Sequence, residues 1–251
     1  MIRPVKSDMP VCRKNHFESL NNFSIQTFIV PGRKMRIIVT YLLLFYSGQL
    51  FGQHSDTVHM GRNTVVLTAY DDDKIINEGD LLLDQNRIKE AIAKYTIVVK
   101  LSPTNITAIS DRACAYLQLD DYRRSLNDYN TAIALDTADY INLSNRALVK
   151  WYFKDYYGAV NDCDKALAFK ADYAYAWFHK GISYFELNNY KEAINSYDKA
   201  IQIDPDFTRA FYNRGNAKFE SKDLPGACSD WQRAKALGHK TADTMIEKHC
   251  K

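Results

Sequence analysis

Apolar residues recur at helical spacing in two successive runs between positions 176 and 205. In the first run Trp177, Gly181 and Tyr184 lie three or four residues apart, as on one face of a helix. Residues 187–189 separate the two runs, and Pro205 follows the second run where a helix should have ended. The pattern therefore predicts an antiparallel pair of amphipathic helices.

The same pattern recurs every 34 residues without an insertion, which defines a frame of five repeats. The frames begin at Asp72, Ile106, Tyr140, Ala174 and Thr208, and positions are counted from these residues. Position 8 is always small, at Gly79, Ala113, Ala147, Gly181 and Gly215. Position 24 is large in four repeats, at Tyr95, Tyr129, Tyr197 and Trp231, and is Cys163 in the third. Because packed helix axes lie about 8–10 Å apart, a small residue on one helix makes room for a ring on its neighbour.

This arrangement of small and large residues resembles the tetratricopeptide repeat, whose pattern is W-x2-L-G-x2-Y, then A-x3-F, then P. The fourth repeat matches it at Trp177, Gly181, Tyr184, Ala193, Tyr197, Ala200 and Pro205. The resemblance implies an all-α fold, a right-handed α-solenoid of helix-turn-helix repeats. The predicted repeats are 72–105, 106–139, 140–173, 174–207 and 208–239, and residues 240–251 are predicted to form a capping helix.

The N-terminal quarter differs in character from the repeats. Residues 37–51 are nearly all apolar, and basic residues precede them at positions 33, 34 and 36. Since this run is too short to span a bilayer comfortably, residues 35–52 are interpreted as a signal peptide. Met35 would then be the natural start, residues 1–34 a non-native extension and residues 53–71 a linker. The alternative is a retained membrane anchor. The expected location is outside the cytoplasm, in a Gram-negative bacterial envelope or secreted.

Removing residues 1–52 changes the charge balance of the chain. The whole sequence has a formal net charge of +3, whereas the remainder holds 26 basic and 28 acidic residues, a net charge of −2. The basic excess therefore lies in residues 1–52. Without a basic stripe, nucleic-acid binding loses its electrostatic basis.

Four cysteines follow residues 1–52. Because an exported chain meets oxidising conditions, these cysteines could form disulfides. Cys114 and Cys163 lie where a small apolar residue would serve, so they are expected to be buried hydrophobes. Cys228 and Cys250 form a possible disulfide, because the first lies in the last repeat and the second ends the predicted cap. Whether this pair is bonded or free stays open at this point.

Motifs for catalysis and for metal or cofactor binding are absent from the sequence. It contains no Walker loop, no G-x-S-x-G, no H-E-x-x-H and no G-x-G-x-x-G. His239, His249 and the nearby cysteines match no common zinc spacing. His179 has no evident base or nucleophile partner, which favours a packing role. The chain is therefore predicted to be non-catalytic, without a cofactor or metal.

The resemblance also implies where a partner would bind. In such arrays, positions 2, 5, 9, 12 and 13 of the first helices line a concave groove. The residues carried over are Ser144, Leu148, Trp151, Tyr152, Phe178, Ile182, Phe185, Glu186, Arg209, Tyr212, Asn216 and Phe219. Aromatic side chains provide large contact areas at low entropic cost, so this set predicts a protein or peptide partner. The alternative is that some of these rings pack between repeats or under the cap.

Charge at the first repeat restricts the partner further. The Lys and Asn clamp by which some relatives hold acidic tails is replaced by Ile76 and Asp80, and Asp73 and Asp84 make this end acidic. A partner with a basic end and an apolar middle is expected. The leading function is an envelope interaction scaffold, and the alternative is a recruiting or regulatory subunit of an envelope enzyme complex.

Overall fold

The structure is a computed structural model that describes residues 24–26, 56–60 and 63–251. The predicted signal peptide, residues 35–52, and most of the predicted extension, residues 1–34, lie outside the described residues. In the part of the chain described, no helix has the length and apolar character needed to cross a membrane.

A small antiparallel sheet precedes the helices. It contains β1 (Ser24–Gln26), β2 (Asp56–Met60) and β3 (Asn63–Tyr70) in the order β1-β3-β2. Strands β2 and β3 lie in the segment assigned to a linker, for which no strand was predicted. The sequence signal was present, because T-V-V-L-T within β3 is rich in β-branched residues.

From Asp72 to His249 the regular structure is entirely helical. The helices are α1 (Asp72–Asp84), α2 (Ile88–Leu101), α3 (Ile106–Gln118), α4 (Tyr122–Leu135), α5 (Tyr140–Tyr152), α6 (Tyr156–Phe169), α7 (Ala174–Glu186), α8 (Tyr190–Ile203), α9 (Thr208–Glu220), α10 (Leu224–Ala236) and α11 (Ala242–His249). Each helix packs on the next one along the chain, and the odd-numbered helices α1 to α9 begin at the five predicted frame starts. The predicted α-solenoid is confirmed.

The turns inside the repeats share one geometry. Position 15 has a positive φ in every repeat, at Asn86, Asp120, Lys154, Asn188 and Lys222. Position 16 then caps the second helix in repeats two to five, where Asp121, Asp155, Asn189 and Asp223 each accept a backbone N–H bond. Such caps satisfy N–H groups that a helix start leaves unpaired. Repeat one carries Arg87 instead, without a side-chain cap.

The core follows the predicted alternation of small and large residues. All five side chains at position 24 are fully buried. A Cβ atom added to Gly181 would lie 2.5 Å from Cε1 of Tyr197, so the ring occupies the space that the glycine leaves. In repeat three, where Cys163 replaces the ring, Trp151 packs against the same cluster.

A ladder of ion pairs joins the two helices of most repeats. At positions 7 and 23, an arginine donates two hydrogen bonds of 2.5–2.9 Å to an aspartate in the pairs Arg112–Asp128, Arg146–Asp162 and Arg214–Asp230. Arg214 also bonds Asp198, at position 25 of the preceding repeat. This arginine thus connects three helices across two repeats.

The remaining repeats vary this ladder. Repeat one reverses the charges, because Glu78 accepts from Lys94 at 2.6 Å. Repeat four has Lys180 at position 7, and Lys180 pairs with Asp164 of the preceding repeat at 2.7 Å.

Two of the cysteines clamp the C-terminal end. Cys228 in α10 and Cys250, directly after α11, are joined by a disulfide. Cys163 is a buried free thiol, as expected of a small hydrophobe. Cys114 is buried too but is disulfide-bonded, a bond that was not predicted from the sequence.

Candidate partner-binding face

Among the first helices of the repeats, α1, α3, α5, α7 and α9, those from α3 onward lie closer to one another than the second helices do. From α3 onward each contacts the first helix of the next repeat, and no comparable contact joins two second helices in the described helices. The first helices therefore form the inner side of the stack. We call the surface formed by their positions 2, 5, 9, 12 and 13 the A-helix face.

The twelve predicted contact residues divide into a floor and a rim. The buried ones are Ser144, Leu148, Phe178, Ile182 and Asn216. The half-buried ones are Trp151, Tyr152, Phe185, Glu186, Arg209, Tyr212 and Phe219. Only the second set presents enough surface for a partner to contact directly.

Ser144 does not fit the predicted role. It is fully buried, and its Oγ lies 3.0 Å from Nδ1 of His179, which also lies 3.0 Å from the Ser144 carbonyl oxygen. Burial, together with the charge of Arg209, lowers the pKa of His179 to about 3, so the imidazole is neutral. The pair is sealed beneath the face and joins repeats three and four, which assigns both residues to packing.

Half-buried aromatic rings dominate the middle of the face. Tyr152 stacks on Tyr122 with ring centroids 4.2 Å apart, and Trp151 meets Tyr152 edge-on at 5.2 Å. In the next repeat Phe185 packs beside Tyr190 at 5.5 Å. Because these rings hold one another in place, they offer a rigid apolar surface.

Arg209 lies among aromatic rings at the boundary of repeats four and five. Its guanidinium carbon is 5.0 Å from the centroid of Phe178, 5.4 Å from Phe207 and 5.8 Å from Tyr175, distances at which cation–π attraction acts. Tyr175 is missing from the predicted contact set. Its signal was available, since Tyr175 occupies position 2 of its repeat, as Arg209 does.

The C-terminal end of the face is partly covered. Tyr212 stacks on His239 at 4.0 Å, and Phe219 lies 4.5 Å from His249 of α11. The alternative interpretation, that some rings pack under the cap, therefore describes these two residues.

The N-terminal end of the face is acidic. Asp73 and Asp84 are exposed, and Asp80 accepts a 2.6 Å hydrogen bond from the Tyr95 hydroxyl. Burial, together with the Asp84 carboxylate, raises the pKa of Asp80 above its ordinary value, although the Tyr95 bond opposes this shift. A cation placed here would therefore be favoured.

Metal-binding geometry is not seen in the described residues, which hold no group of three or more potential ligands. The carboxylates of the acidic end are therefore considered only as electrostatic groups.

Comparisons with known proteins agree with this architecture. A model described as tetratricopeptide repeat matches residues 107–139, and one described as TPR repeat matches residues 181–222. A search of curated proteins gave no significant match.

Several solved structures share the fold. A MamA protein structure has 22% identity and a TM-score of 0.57, covering 68% of this chain and 94% of its own. TTC0263, a thermophilic TPR protein of Thermus thermophilus, has 15% identity and a TM-score of 0.61, covering 70% and 96%. YrrB, described as a TPR protein with an unusual peptide-binding site, has 18% identity and a TM-score of 0.55, covering 71% and 92%.

Proposed function

The chain is a tetratricopeptide repeat protein, and from that premise we propose that it is a scaffold whose A-helix face binds an extended peptide segment of a partner protein. The observation that carries the proposal is the row of half-buried rings at Trp151, Tyr152 and Phe185. Aromatic residues are enriched among the few residues that supply most of the binding energy in protein interfaces.

Charge on the same face indicates the composition of the peptide. Positions 2, 5, 9, 12 and 13 of the repeats carry five acidic residues, Asp73, Asp80, Asp84, Glu186 and Glu220, and one basic residue, Arg209. A segment with an apolar or aromatic middle and lysine or arginine at one end complements this surface. The basic end would lie at repeat one, where three of the acids are found.

A displayed random-peptide library, selected on the immobilised protein, tests this function. We expect selected peptides to combine aromatic residues with lysine or arginine. Their affinity, measured by fluorescence anisotropy, should fall about tenfold or more in a Tyr152→Ser variant, because the ring contributes directly to contact. Asp73→Asn with Asp84→Asn should weaken binding mainly at low salt.

A matched control exists in the same repeat. Tyr157 is 77% exposed but lies on the second helix, away from the A-helix face. Tyr157→Ser should leave affinity within about twofold, since rings outside the contact contribute little. Equal losses in the Tyr152 and Tyr157 variants, or selection of no binding peptide, would contradict the proposed function.

We also propose that the protein is exported. The support is the order of residues 33–52, in which basic residues precede a short apolar run and a polar stretch follows. Amino-terminal sequencing of the protein from its native source should find a mature chain that begins near residue 53. A native chain that retains residues 37–51 would contradict cleavage.

A further inference from the structure

Helix α11 occupies the place of the first helix of a sixth repeat. It begins at Ala242, 34 residues after α9 begins at Thr208, and it packs on α10 as each earlier first helix packs on the preceding second helix. However, α11 has 8 residues, whereas α9 has 13. Helix α10, the second helix of repeat five, is therefore covered by a shortened version of a first helix.

Helix α11 buries few of its side chains completely. Ala242 is its only buried residue, and Thr241 at its start forms no side-chain cap. The ion pair of Lys235 with Asp243 is exposed on both sides and contributes little. A helix of this length is not stable in water by itself.

A covalent link compensates for this limited burial. The disulfide joins Cys228, inside α10, to Cys250 at the end of α11, with a sequence separation of 22. Both cysteines are half-buried, so a reductant can reach the bond. We propose that this disulfide is a reversible switch: oxidised, it holds α11 on α10, and reduced, it releases α11 from the end of the solenoid.

The chemistry of the switch is thiol–disulfide exchange with a dithiol. A thiolate of the dithiol attacks one sulfur, the bond between the cysteines breaks, and the departing cysteine sulfur takes up a proton. The second thiol of the dithiol then releases the other cysteine. Two electrons and two protons pass to the protein, and the dithiol becomes a disulfide.

Release of α11 changes the C-terminal end of the A-helix face. His249 of α11 covers Phe219 at 4.5 Å and lies 6.0 Å from Trp231. When α11 leaves, Phe219 loses its cover and its fixed orientation. This step rests on the proposed function, because it assigns the reduced and oxidised proteins different affinities for a peptide that reaches repeat five.

Hydrogen exchange of the full chain, followed by mass spectrometry with and without dithiothreitol, tests the switch without any ligand. On reduction, the protection factors of residues 242–249 should fall about a hundredfold. This is the order of magnitude expected when a cross-link that closes a loop of this size is removed. Protection of α6 to α8 should stay unchanged, since stacked repeats interact only with their neighbours and the disulfide of Cys114, which dithiothreitol also reduces, lies in α3. Unchanged protection of α11 in the reduced protein would overturn the proposal.

The variant Cys250→Ser isolates this bond from the disulfide of Cys114. It should show the low α11 protection of the reduced protein without any reductant, and dithiothreitol should cause no further change in α11. A further loss of protection on reducing this variant would show that another bond holds α11, which would overturn the proposal.

Peptides selected on the oxidised protein supply the second measurement. Those that depend on Phe219, as shown by Phe219→Ala, should bind the reduced protein and Cys250→Ser about tenfold or more weakly. Loss of α11 protection with unchanged affinity would overturn the link between cap and face. Failure to select any peptide would contradict the proposed function, but it would not affect the hydrogen-exchange test of the switch.

Discussion

Tyr95 and Tyr197 occupy the same position of their repeats and are both fully buried, yet their hydroxyl groups differ. The Tyr95 hydroxyl donates to Asp80, whereas that of Tyr197 has no hydrogen-bond partner in the described part of the chain. The difference arises at position 9, which is Asp80 in repeat one and Ile182 in repeat four. A buried polar group without a partner is costly, whereas a bonded one contributes to stability.

Removing each hydroxyl should therefore have a different effect on stability. Tyr95→Phe should lower the free energy of unfolding by about 1–2 kcal/mol, and Tyr197→Phe should leave it unchanged within about 0.5 kcal/mol or raise it. Urea unfolding followed by circular dichroism measures both. An equal loss in the two variants would show that the Tyr197 hydroxyl has a partner.

Backbone conformation at position 15 gives a second contrast between residues. Lys154 has φ 62°, a left-handed conformation that costs a residue with a Cβ atom about 1–2 kcal/mol. Lys154→Gly should therefore stabilise the protein by about 0.5–1 kcal/mol in thermal or urea unfolding. The control, Lys165→Gly in the exposed middle of α6, should destabilise it by about 1 kcal/mol. If both substitutions changed the free energy of unfolding in the same direction, the expected relief of strain at Lys154 would be contradicted.

At the scale of the helices, His179 couples repeats three and four and makes their packing sensitive to acid. Its pKa is about 3 in the fold and ordinarily 6.5, so the unfolded chain binds a proton that the folded chain rejects below pH 6.5. The contribution to stability is complete above pH 6.5 and declines as the pH falls towards 3, by about 1.4 kcal/mol per pH unit.

Replacement of His179 by asparagine, the residue at the same position in repeats three and five, removes this titration. Between pH 6.5 and 5, the wild-type protein should lose about 2 kcal/mol of unfolding free energy that His179→Asn does not lose. Urea unfolding at both pH values measures the difference. Identical pH slopes would show that the imidazole is protonated in the fold.

The helices show which sequence signals were read and which were missed. The alternation of Gly181 with Tyr197 predicted the helix pairs and their core, because close packing demands complementary volumes. The ion-pair ladder was equally visible, since Arg146 and Asp162 recur at fixed positions in other repeats. The alternation of small and large residues from which the fold was predicted carries no information about these charges. The burial of Ser144 was not predictable from its position alone, since it depends on His179 of the next repeat.

For the whole molecule, the stack behaves as a chain of neighbours, so the same defect should cost more in the middle than at the end. Ala166 and Ala234 occupy position 27 in repeats three and five, and both are fully buried. Ala166→Asp should cost about 4 kcal/mol, because repeats on both sides lose a partner, and Ala234→Asp about half as much.

Hydrogen exchange should locate the damage as well as its size. Ala234→Asp should expose only α9, α10 and α11, whereas Ala166→Asp should separate the two ends of the solenoid into independently unfolding parts. Equal losses spread over all helices in both variants would indicate a single cooperative core.

The overall architecture was predictable because it repeats, whereas features that occur once were not. Five frames in register predicted the solenoid, but the strands of residues 56–60 and 63–70 have no second copy with which to compare them. The identity of the partner likewise cannot be predicted from the repeat pattern. Recognition depends on the residues that vary between repeats, such as Asp80 and Ile182 at position 9.

The constant interval between first helices has a consequence for how the gene can change. Arg214 bonds Asp198 across the repeat boundary, and Arg146 bonds Asn130 in the same way. A tandem duplication of one internal repeat would again place a basic residue at position 7 opposite Asn or Asp at position 25 of the preceding repeat. The number of repeats can therefore change by recombination without new contacts having to evolve between neighbouring repeats. Homologous chains are expected to differ in length by whole multiples of 34 residues.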